Sequence, residues 1–337
     1  MRYQEQAAKP HFSRHIECFW ELELHPDEAQ RPCELLVPDC TFDLLFTATP
    51  LRFSLVGQTC TDRMSIGANF IGQKTTGLYL CPQEPQRIFG VRFKPFALAH
   101  LFPIPPQQLT DKVFPLQKLF EISTQESSYI DNILNSDPLE EKVSSAESLI
   151  LSLFDELNYI DQQFRDQINY ILHRKGILKI QDLFAAFGVS KVTLHKHFLN
   201  KMGLSPKQVS RIWRLNYFLQ LQRNTRESKL TELALEAGYY DQAHFIREFH
   251  RFFPYSPNRL LQSKSKLLQI SQEIIDRRFS NLYDPSIWAS LRLALLFYNF
   301  YSDSPPIFTS KLFTSIAYEE VTRLYQQTHD PTILRAF

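Results

Sequence analysis

The chain has 337 residues and a formal net charge of +1, from 37 Lys and Arg against 36 Asp and Glu, and 44% of it is hydrophobic. This length predicts two or three domains with cores of their own, and the balanced charge favours no class of partner. No apolar run is long enough to span a membrane and the N-terminus lacks a signal-peptide core, so we expect a cytoplasmic protein without a membrane partner.

Residues 1–125 contain short apolar runs separated by Pro, Gly and Asp, as in Phe19–Leu24, Phe42–Phe46 and Ile88–Phe93. Such runs at near-regular spacing predict an antiparallel β-barrel or sandwich, and a short helix is predicted over Phe96–Phe102. The five cysteines lie in this region, in an odd number and without a CxxC pair. Their pattern argues against a disulfide framework or a zinc site. Residues 126–163 have helical periodicity and are predicted to be connecting helices.

Residues 164–262 repeat one helical pattern at an offset of roughly 50 residues, the kind of internal period that marks a structural repeat. In the first copy a glycine turn at Gly188 is followed by a helix cap at Ser190. Its apolar stripes are Ile180, Leu183, Phe184 and Phe187, then Leu194, Phe198 and Met202. Two short helices joined by a tight glycine turn predict a helix-turn-helix, whose second helix can enter a DNA major groove.

The second copy has its turn at Gly238 and its cap at Asp241. Its stripes are Leu230, Leu233, Ala234 and Ala237, then Phe245, Phe249 and either Phe252 or Phe253. Between the copies, Ser205 to about Arg223 is predicted as a long helix with Ser205 as its cap and Pro206 in its first turn. About 18 helical residues span roughly 27 Å. Such a rod can hold two recognition helices about one DNA turn apart, so that one monomer reads two consecutive major-groove segments.

Charge is distributed unevenly along the chain. Residues 165–262 hold 16 Lys and Arg against 7 Asp and Glu, a balance of +9, whereas residues 1–164 hold 13 against 22, a balance of −9. A solvated basic surface would also give this pattern. Together with two helix-turn-helix repeats in the same segment, it favours contact with nucleic acid.

Residues 263–337 show further apolar periodicity in Leu267–Ile275 and Ile287–Tyr298, and another helix is predicted over Lys311–Gln327. We expect a helical extension that packs on the N-terminal domain or on a second subunit. The predicted class is therefore α+β: an N-terminal antiparallel β-barrel, an all-α tandem helix-turn-helix domain and an additional C-terminal helical segment.

Residues 164–262 resemble the DNA-binding domain of AraC/XylS-type transcription regulators. The first motif matches through Leu183, Gly188-Val189-Ser190 and Gly203-Leu204-Ser205-Pro206, and the second through Leu233-Ala234, Gly238-Tyr239, Asp241-Gln242, His244-Phe245 and Ser256-Pro257. Pro254 stands where the family usually has Gly, and proline cannot adopt a positive φ, so the second recognition helix is expected to end differently.

The first 120 residues or so resemble the cupin-like N-terminal domain of some of these regulators, through Leu36-Val37-Pro38-Asp39, Asp43–Phe46 and Gly90–Pro95. Cys40 departs from that pattern, because a turn glycine is common at its position. The resemblance implies a sensor or dimerisation domain. Relatives use the helices that follow it to dimerise or to connect the domains, and packing against the barrel is an equally open alternative for residues 126–163.

The base-reading positions implied by the resemblance are Val192, His195 and Lys196 in the first motif and Gln242, Ala243 and Arg247 in the second. Arg and Lys suit guanine, Gln suits adenine, and Val or Ala can contact a thymine methyl. Phosphate contacts, which position the protein without specifying sequence, are expected from the basic and polar side chains Lys179, Lys191, Lys201, Lys207, Arg211, Tyr240, His244 and Arg251.

The predicted function is a sequence-specific, non-enzymatic transcription regulator of bacterial type that binds double-stranded DNA. The resemblance favours an activator that responds to a small-molecule effector in the N-terminal domain, contacts RNA polymerase and forms a homodimer. No cofactor and no metal site is expected. Two alternatives stay open: a metal-dependent cupin enzyme fused to a DNA-binding module, and a ligand-independent regulator whose first 160 residues only dimerise.

Overall fold

The computed structural model describes residues 2–25, 33–58, 62–97, 101, 104–154, 161–225, 229–262 and 265–281. The helix predicted over Phe96–Phe102 lies largely outside these residues. The helices predicted around Ile287–Tyr298 and Lys311–Gln327, and the cysteine Cys60, also lie outside them.

The described residues of the N-terminal region form ten strands. They are β1 Arg2–Ala7, β2 Ile16–Leu24, β3 Glu34–Leu36, β4 Phe42–Thr47, β5 Leu51–Leu55, β6 Asp62–Met64, β7 Gly67–Ile71, β8 Leu78–Cys81, β9 Gln86–Phe93 and β10 Val113–Pro115. A six-stranded antiparallel sheet has the order β1-β2-β9-β4-β7-β10, and a four-stranded antiparallel sheet has the order β3-β8-β5-β6. The predicted α+β class is confirmed, with the described strands arranged as two sheets.

The six-stranded sheet is buried on both faces. On one face Phe19, Phe42 and Phe93 pack against two helices, α2 Thr124–Asn135 and α3 Leu139–Leu153. On the other face, the alternate residues pack against the four-stranded sheet; they are Trp20, Leu22, Leu45 and Ile71. This alternation follows from the two-residue period of a strand, which sends successive side chains to opposite faces. Packing against the N-terminal sheet was one of the alternatives for residues 126–163, and the structure shows this packing for α2 and α3.

The first described helix is α1 Pro106–Leu109, and the short 3-10 turn Leu116–Lys118 follows it. Ten further α-helices, α2 to α11, complete the described chain. After α2 and α3 they are α4 Gln162–His173, α5 Ile180–Ala186, α6 Lys191–Met202, α7 Pro206–Asn224, α8 Leu230–Glu236, α9 Gln242–Phe249, α10 Pro257–Leu261 and α11 Lys266–Asn281. The helices α4 to α10 share one core that contains Trp213 and Phe218 of α7.

This helical core continues into the N-terminal domain. Leu35, Val37 and Val56 belong to the same buried cluster as the helices, whereas Leu36, the neighbour of Leu35, points into the space between the two sheets. The four-stranded sheet therefore has apolar side chains on both faces. It is a shared layer between the sheet sandwich and the helical domain, and burial of its outer face stabilises the contact between them.

Helix α11 forms hydrogen bonds and ion pairs with both domains. At its N-terminus the Glu34 carboxylate accepts hydrogen bonds from the Leu267 N–H at 3.0 Å and from the Ser265 hydroxyl at 2.6 Å. Near its C-terminus the Arg278 guanidinium donates two bonds to the Glu17 carboxylate, at 2.6 and 2.7 Å. On its other side, Arg223 of α7 pairs with Glu273 and Asp276 of α11. The structure thus places the start of the predicted C-terminal extension against the N-terminal domain and α7.

One expectation about the cysteines is wrong. Cys33 and Cys81 form a disulfide across the β3–β8 pair, in which Glu34 lies opposite Leu80. The two residues are 48 positions apart, and only the strand register brings them together, so their spacing in sequence gave no signal. Cys18 and Cys40 are free and buried. Cys40 has φ 61°, the left-handed conformation that a turn glycine adopts without strain.

We expect Arg278→Met to lower the free energy of unfolding by about 3–5 kcal/mol, because it leaves the Glu17 and Asp39 carboxylates without a guanidinium that is largely buried. The Arg278 side chain is 12% exposed, and its Nη1 also lies 3.4 Å from Asp39 Oδ2. Chemical denaturation of the full chain measures this difference.

The matched control is Arg277→Met on the same helix. Arg277 pairs with Glu5 at 2.6 Å, but its side chain is 58% exposed, so its loss should cost less than about 1 kcal/mol. Equal effects of the two substitutions would contradict a stabilising role of the buried pair.

Candidate nucleic-acid interface

The first helix-turn-helix consists of α5 and α6. The turn between them is at Gly188, which has φ 61°, a conformation that costs glycine little because it has no Cβ. The Ser190 side chain caps α6 by accepting a hydrogen bond from the Thr193 N–H at 3.1 Å. Helix α6 ends at Gly203, a left-handed C-cap with φ 76°. These caps satisfy backbone groups at both ends of the helix.

Helix α6 has one buried face and one exposed face. Leu194, Phe198 and Met202 are buried, with no more than 1% of their surface exposed. Val192 is 63% exposed, and His195 and Lys196 are also exposed. The spacing of four residues between successive anchors explains this division, since those positions share one face of a helix. The predicted base-reading residues of the first motif therefore face solvent.

The second helix-turn-helix consists of α8 and α9. Its turn is at Gly238, which has φ 79°. The Asp241 carboxylate caps α9 by accepting a hydrogen bond from the His244 N–H at 2.6 Å. Phe245 and Phe249 are fully buried, and Phe245 packs 4.4 Å, between ring centroids, from Phe218 of α7. The second recognition helix is therefore anchored on the same long helix as the rest of the core.

The outward face of α9 carries the other predicted base-reading residues, since Gln242, Ala243 and Arg247 are all exposed. Tyr240 is 86% exposed, and its backbone N–H donates to His244 Nδ1 at 3.2 Å. Helix α9 ends without a left-handed residue: His250 has φ −64°, and the Phe252 N–H donates to the Phe249 carbonyl in a tight turn. This ending accommodates Pro254 and differs from the glycine ending of α6, as its sequence predicts.

Helix α7 connects the two motifs. Ser205 and Gln208 form a capping box at its start, and Pro206 occupies its first turn. Its 19 residues span about 28 Å, somewhat less than the roughly 34 Å of one DNA turn. Trp213 and Phe218 are buried beneath the motifs. This rod holds both recognition helices through one continuous core.

The Lys and Arg side chains that were predicted to contact phosphate fall into two groups. Lys179, Lys191, Lys207 and Arg251 are exposed. Lys201, in contrast, pairs with Asp161, the residue that caps α4. Arg211 pairs with Glu248 of α9 at 2.7 Å, and Glu248 also contacts Arg251 at 3.1 Å. Lys201 and Arg211 thus take part in the fold of the helical domain, and Glu248 is a positioning residue of the second recognition helix that the sequence did not reveal.

The part of the chain that the structure describes contains no cluster of three or more His, Cys, Asp or Glu residues arranged to hold a metal ion. Within the same residues, no helix is long and apolar enough to cross a membrane.

The two domains of the chain match two different family models. Residues 183–263 match the family model of a helix-turn-helix domain, and residues 4–115 match a domain of unknown function. The transcriptional activator RhaS of Shigella boydii serotype 18 is 28% identical over 138 residues, and RhaS of Escherichia coli strain SE11 is 26% identical over 137. Each alignment covers 41% of this chain and 44% of RhaS, so the chain spans less than half the length of these curated relatives. ToxT of Vibrio cholerae O395 aligns with 77% of this chain and 96% of its own, at 12% identity and a TM-score of 0.39.

We expect Asp241→Ala to destabilise α9 by about 1 kcal/mol, because the His244 N–H loses its capping partner. Asp241→Asn is the matched control, since an asparagine oxygen caps a helix about as well. Amide hydrogen exchange of residues 242–249 measures the difference. Protection that is unchanged in the alanine variant would mean that the cap contributes nothing to this helix.

Proposed function

We propose that this chain, whose residues 183–263 match the family model of a helix-turn-helix domain, is a sequence-specific transcription regulator of the AraC/XylS type that binds double-stranded DNA and has no catalytic activity. The observation that carries the proposal is the pair of capped helices α6 and α9, each with buried anchors and an exposed polar face, mounted on the single helix α7. A bacterial cytoplasm follows from a DNA-binding role of this kind.

The exposed faces suit major-groove recognition. On α6, Lys196 supplies donors for guanine and Val192 an apolar contact for a thymine methyl, with His195 beside them. On α9, Arg247 can form two parallel hydrogen bonds with one guanine, which makes it the strongest candidate for base specificity. Gln242 and Ala243 offer adenine recognition and a methyl contact. Together they allow one monomer to read two successive groove segments.

Backbone contacts would come from the exposed cations around these faces. Lys191 lies in the first turn of α6 and Lys207 in the first turn of α7. Tyr240 and His244 lie at the N-terminal end of α9, where backbone N–H groups also favour a phosphate. Lys179 and Arg251 complete the exposed set, whereas Lys201 and Arg211 are proposed to act through their ion pairs, by holding α4 and α9 in place.

Regulation is proposed to involve the N-terminal domain, because that domain shares a core with the helical domain. An effector that binds one arrangement of the two domains better than another would shift the population of the DNA-competent state. The named RhaS relatives are transcriptional activators, which favours activation and hence contact with RNA polymerase. A second copy of the chain is a further proposed partner.

Arg247→Ala and Lys196→Ala should each weaken binding to the preferred site by about 1–3 kcal/mol and relax the base preference at one position. The measurement is site selection from a random duplex library with the full chain, followed by titration of the selected and mismatched duplexes. A variant that selects the wild-type site with wild-type preference would contradict the role assigned to its residue.

Lys207→Ala serves as the contrasting variant for phosphate contact. Loss of the Lys207 ammonium should weaken binding to specific and nonspecific DNA about equally. It should also reduce the slope of log K against log salt by about 0.9, the contribution of one neutralised phosphate. Binding titrations over a range of salt concentrations measure the slope. A loss confined to one sequence, with an unchanged slope, would instead place Lys207 at a base.

A further inference from the structure

The C-terminal end of the first recognition helix and the segment that follows the second one both contact the N-terminal domain. We infer that the two N-terminal segments making these contacts, residues 72–79 and 106–111, set the separation of the helices and therefore the spacing between the two DNA half-sites that the protein accepts. This inference rests on the proposed function and adds to it a determinant of specificity outside the recognition helices.

The first contact is at the end of α6. The Thr110 hydroxyl donates a hydrogen bond to the Gly203 carbonyl at 3.1 Å, and the Gln107 amide donates to the Asn200 side chain at 3.0 Å. A Cβ on Gly203 would lie only 2.6 Å from the Pro106 carbonyl oxygen. The N-terminal domain therefore touches the backbone of the first recognition helix at its C-cap, a closeness that only glycine permits.

The second contact is just beyond the end of α9. The Gly77 N–H donates to the Phe252 carbonyl at 3.3 Å, and a Cβ on Gly77 would approach Phe253 Cε1 to 2.9 Å. Two residues after Gly77, on β8, the Tyr79 hydroxyl donates to the Tyr255 hydroxyl at 3.1 Å. Phe253 packs on Phe249, the last anchor of α9, with ring centroids 5.1 Å apart. The N-terminal domain thus reaches the second recognition helix through one aromatic layer.

The two contact points are joined directly to each other. The Asp111 carboxylate accepts hydrogen bonds from the Thr75 N–H at 2.7 Å and the Thr75 hydroxyl at 2.5 Å, and the Asp111 N–H donates to the Gln73 carbonyl at 2.8 Å. Gly72 packs so closely on Leu109 that a Cβ would overlap its carbonyl oxygen. Lys74 lies in the same segment, between Gln73 and Thr75. Its buried ammonium is 3.6 Å from the Asp39 carboxylate and 3.8 Å from the Asp43 carboxylate.

These bonds make a closed frame. Helix α7 joins the two motifs through their cores. The segments 72–79 and 106–111 provide a second connection, from the end of α6 to the residues that follow α9. A single rod permits each motif to tilt about its own attachment, whereas a second connection penalises any tilt that changes the separation of α6 and α9. A DNA with shorter or longer spacing between half-sites requires such a tilt.

The test removes one oxygen from each contact in the full chain, with the double variant Thr110→Val and Tyr79→Phe. Neither substitution touches a DNA-facing residue, and each conserves most of the side-chain volume. The probe is a set of duplexes in which the two half-sites, defined by selection with the wild-type chain, are separated by the preferred spacer or by one base pair less or more. Ser127→Ala is the control, because its hydroxyl donates to the carbonyl of Ser123, the N-cap of α2, and so lies in neither contact.

We expect the double variant to lose discrimination between spacings by about two- to tenfold, the size expected when one or two neutral hydrogen bonds are removed, while base preference within each half-site is retained. The control should keep wild-type discrimination. If the double variant is poorly folded, the two single variants carry the same test, each with a smaller effect in the same direction.

An equal loss of affinity at all spacings would overturn the inference and leave the proposed function intact. Failure of the wild-type chain to select any sequence would overturn the proposed function and the inference with it. Selection of a single undivided site, insensitive to the spacing series, would overturn the inference alone.

Discussion

The burial of aromatic anchors against helix α7 is the constraint on which the rest of the structure depends. Phe198 on α6 and Phe245 and Phe249 on α9 are all fully buried in the core that α7 organises. Burying each of these side chains contributes about 1.5–3 kcal/mol. A helix whose anchors are four residues apart then has only one face left to expose. The outward display of Lys196 and Arg247 is a consequence of that burial.

The buried ions that connect the domains have a different role. Taking the Asp39 and Arg278 charges out of water is costly, and only close pairing offsets that cost. Burial alone would raise the pKa of Asp39, but the nearby Lys74 and Arg278 charges outweigh it and hold that pKa below its usual value. Lys74 and Arg92 pair with Asp43, and Arg278 pairs with Glu17. Because Arg278 of α11 pairs with both Glu17 and Asp39, whose positions are fixed by the N-terminal domain, the network favours one alignment of α11 on that domain over nearby slipped ones.

Much of the helical domain could be predicted from sequence because its signals are local. The caps at Ser190 and Asp241, the turns at Gly188 and Gly238 and the apolar stripes between them depend on residues within one or two turns of each other. The N-terminal domain was predicted only as a class, since its strand order depends on pairings such as β2 with β9 that are remote in sequence. The Cys33–Cys81 disulfide and the pairing of Arg211 with Glu248 escaped prediction for the same reason: each arises from tertiary register.

The same distinction changes the meaning of the charge asymmetry. A balance of +9 in residues 165–262 suggests many phosphate contacts when it is read as sequence. In the structure, part of that positive charge is compensated by ion pairs within the protein. Lys201 pairs with Asp161, Arg211 with Glu248, and Arg223 with carboxylates of α11. A cation already held by a carboxylate releases fewer counterions when DNA binds, because its charge is largely compensated beforehand. The electrostatic part of DNA affinity should therefore follow the exposed cations beside α6 and α9, and the carboxylates of Asp161, Glu248 and α11 decide which cations those are.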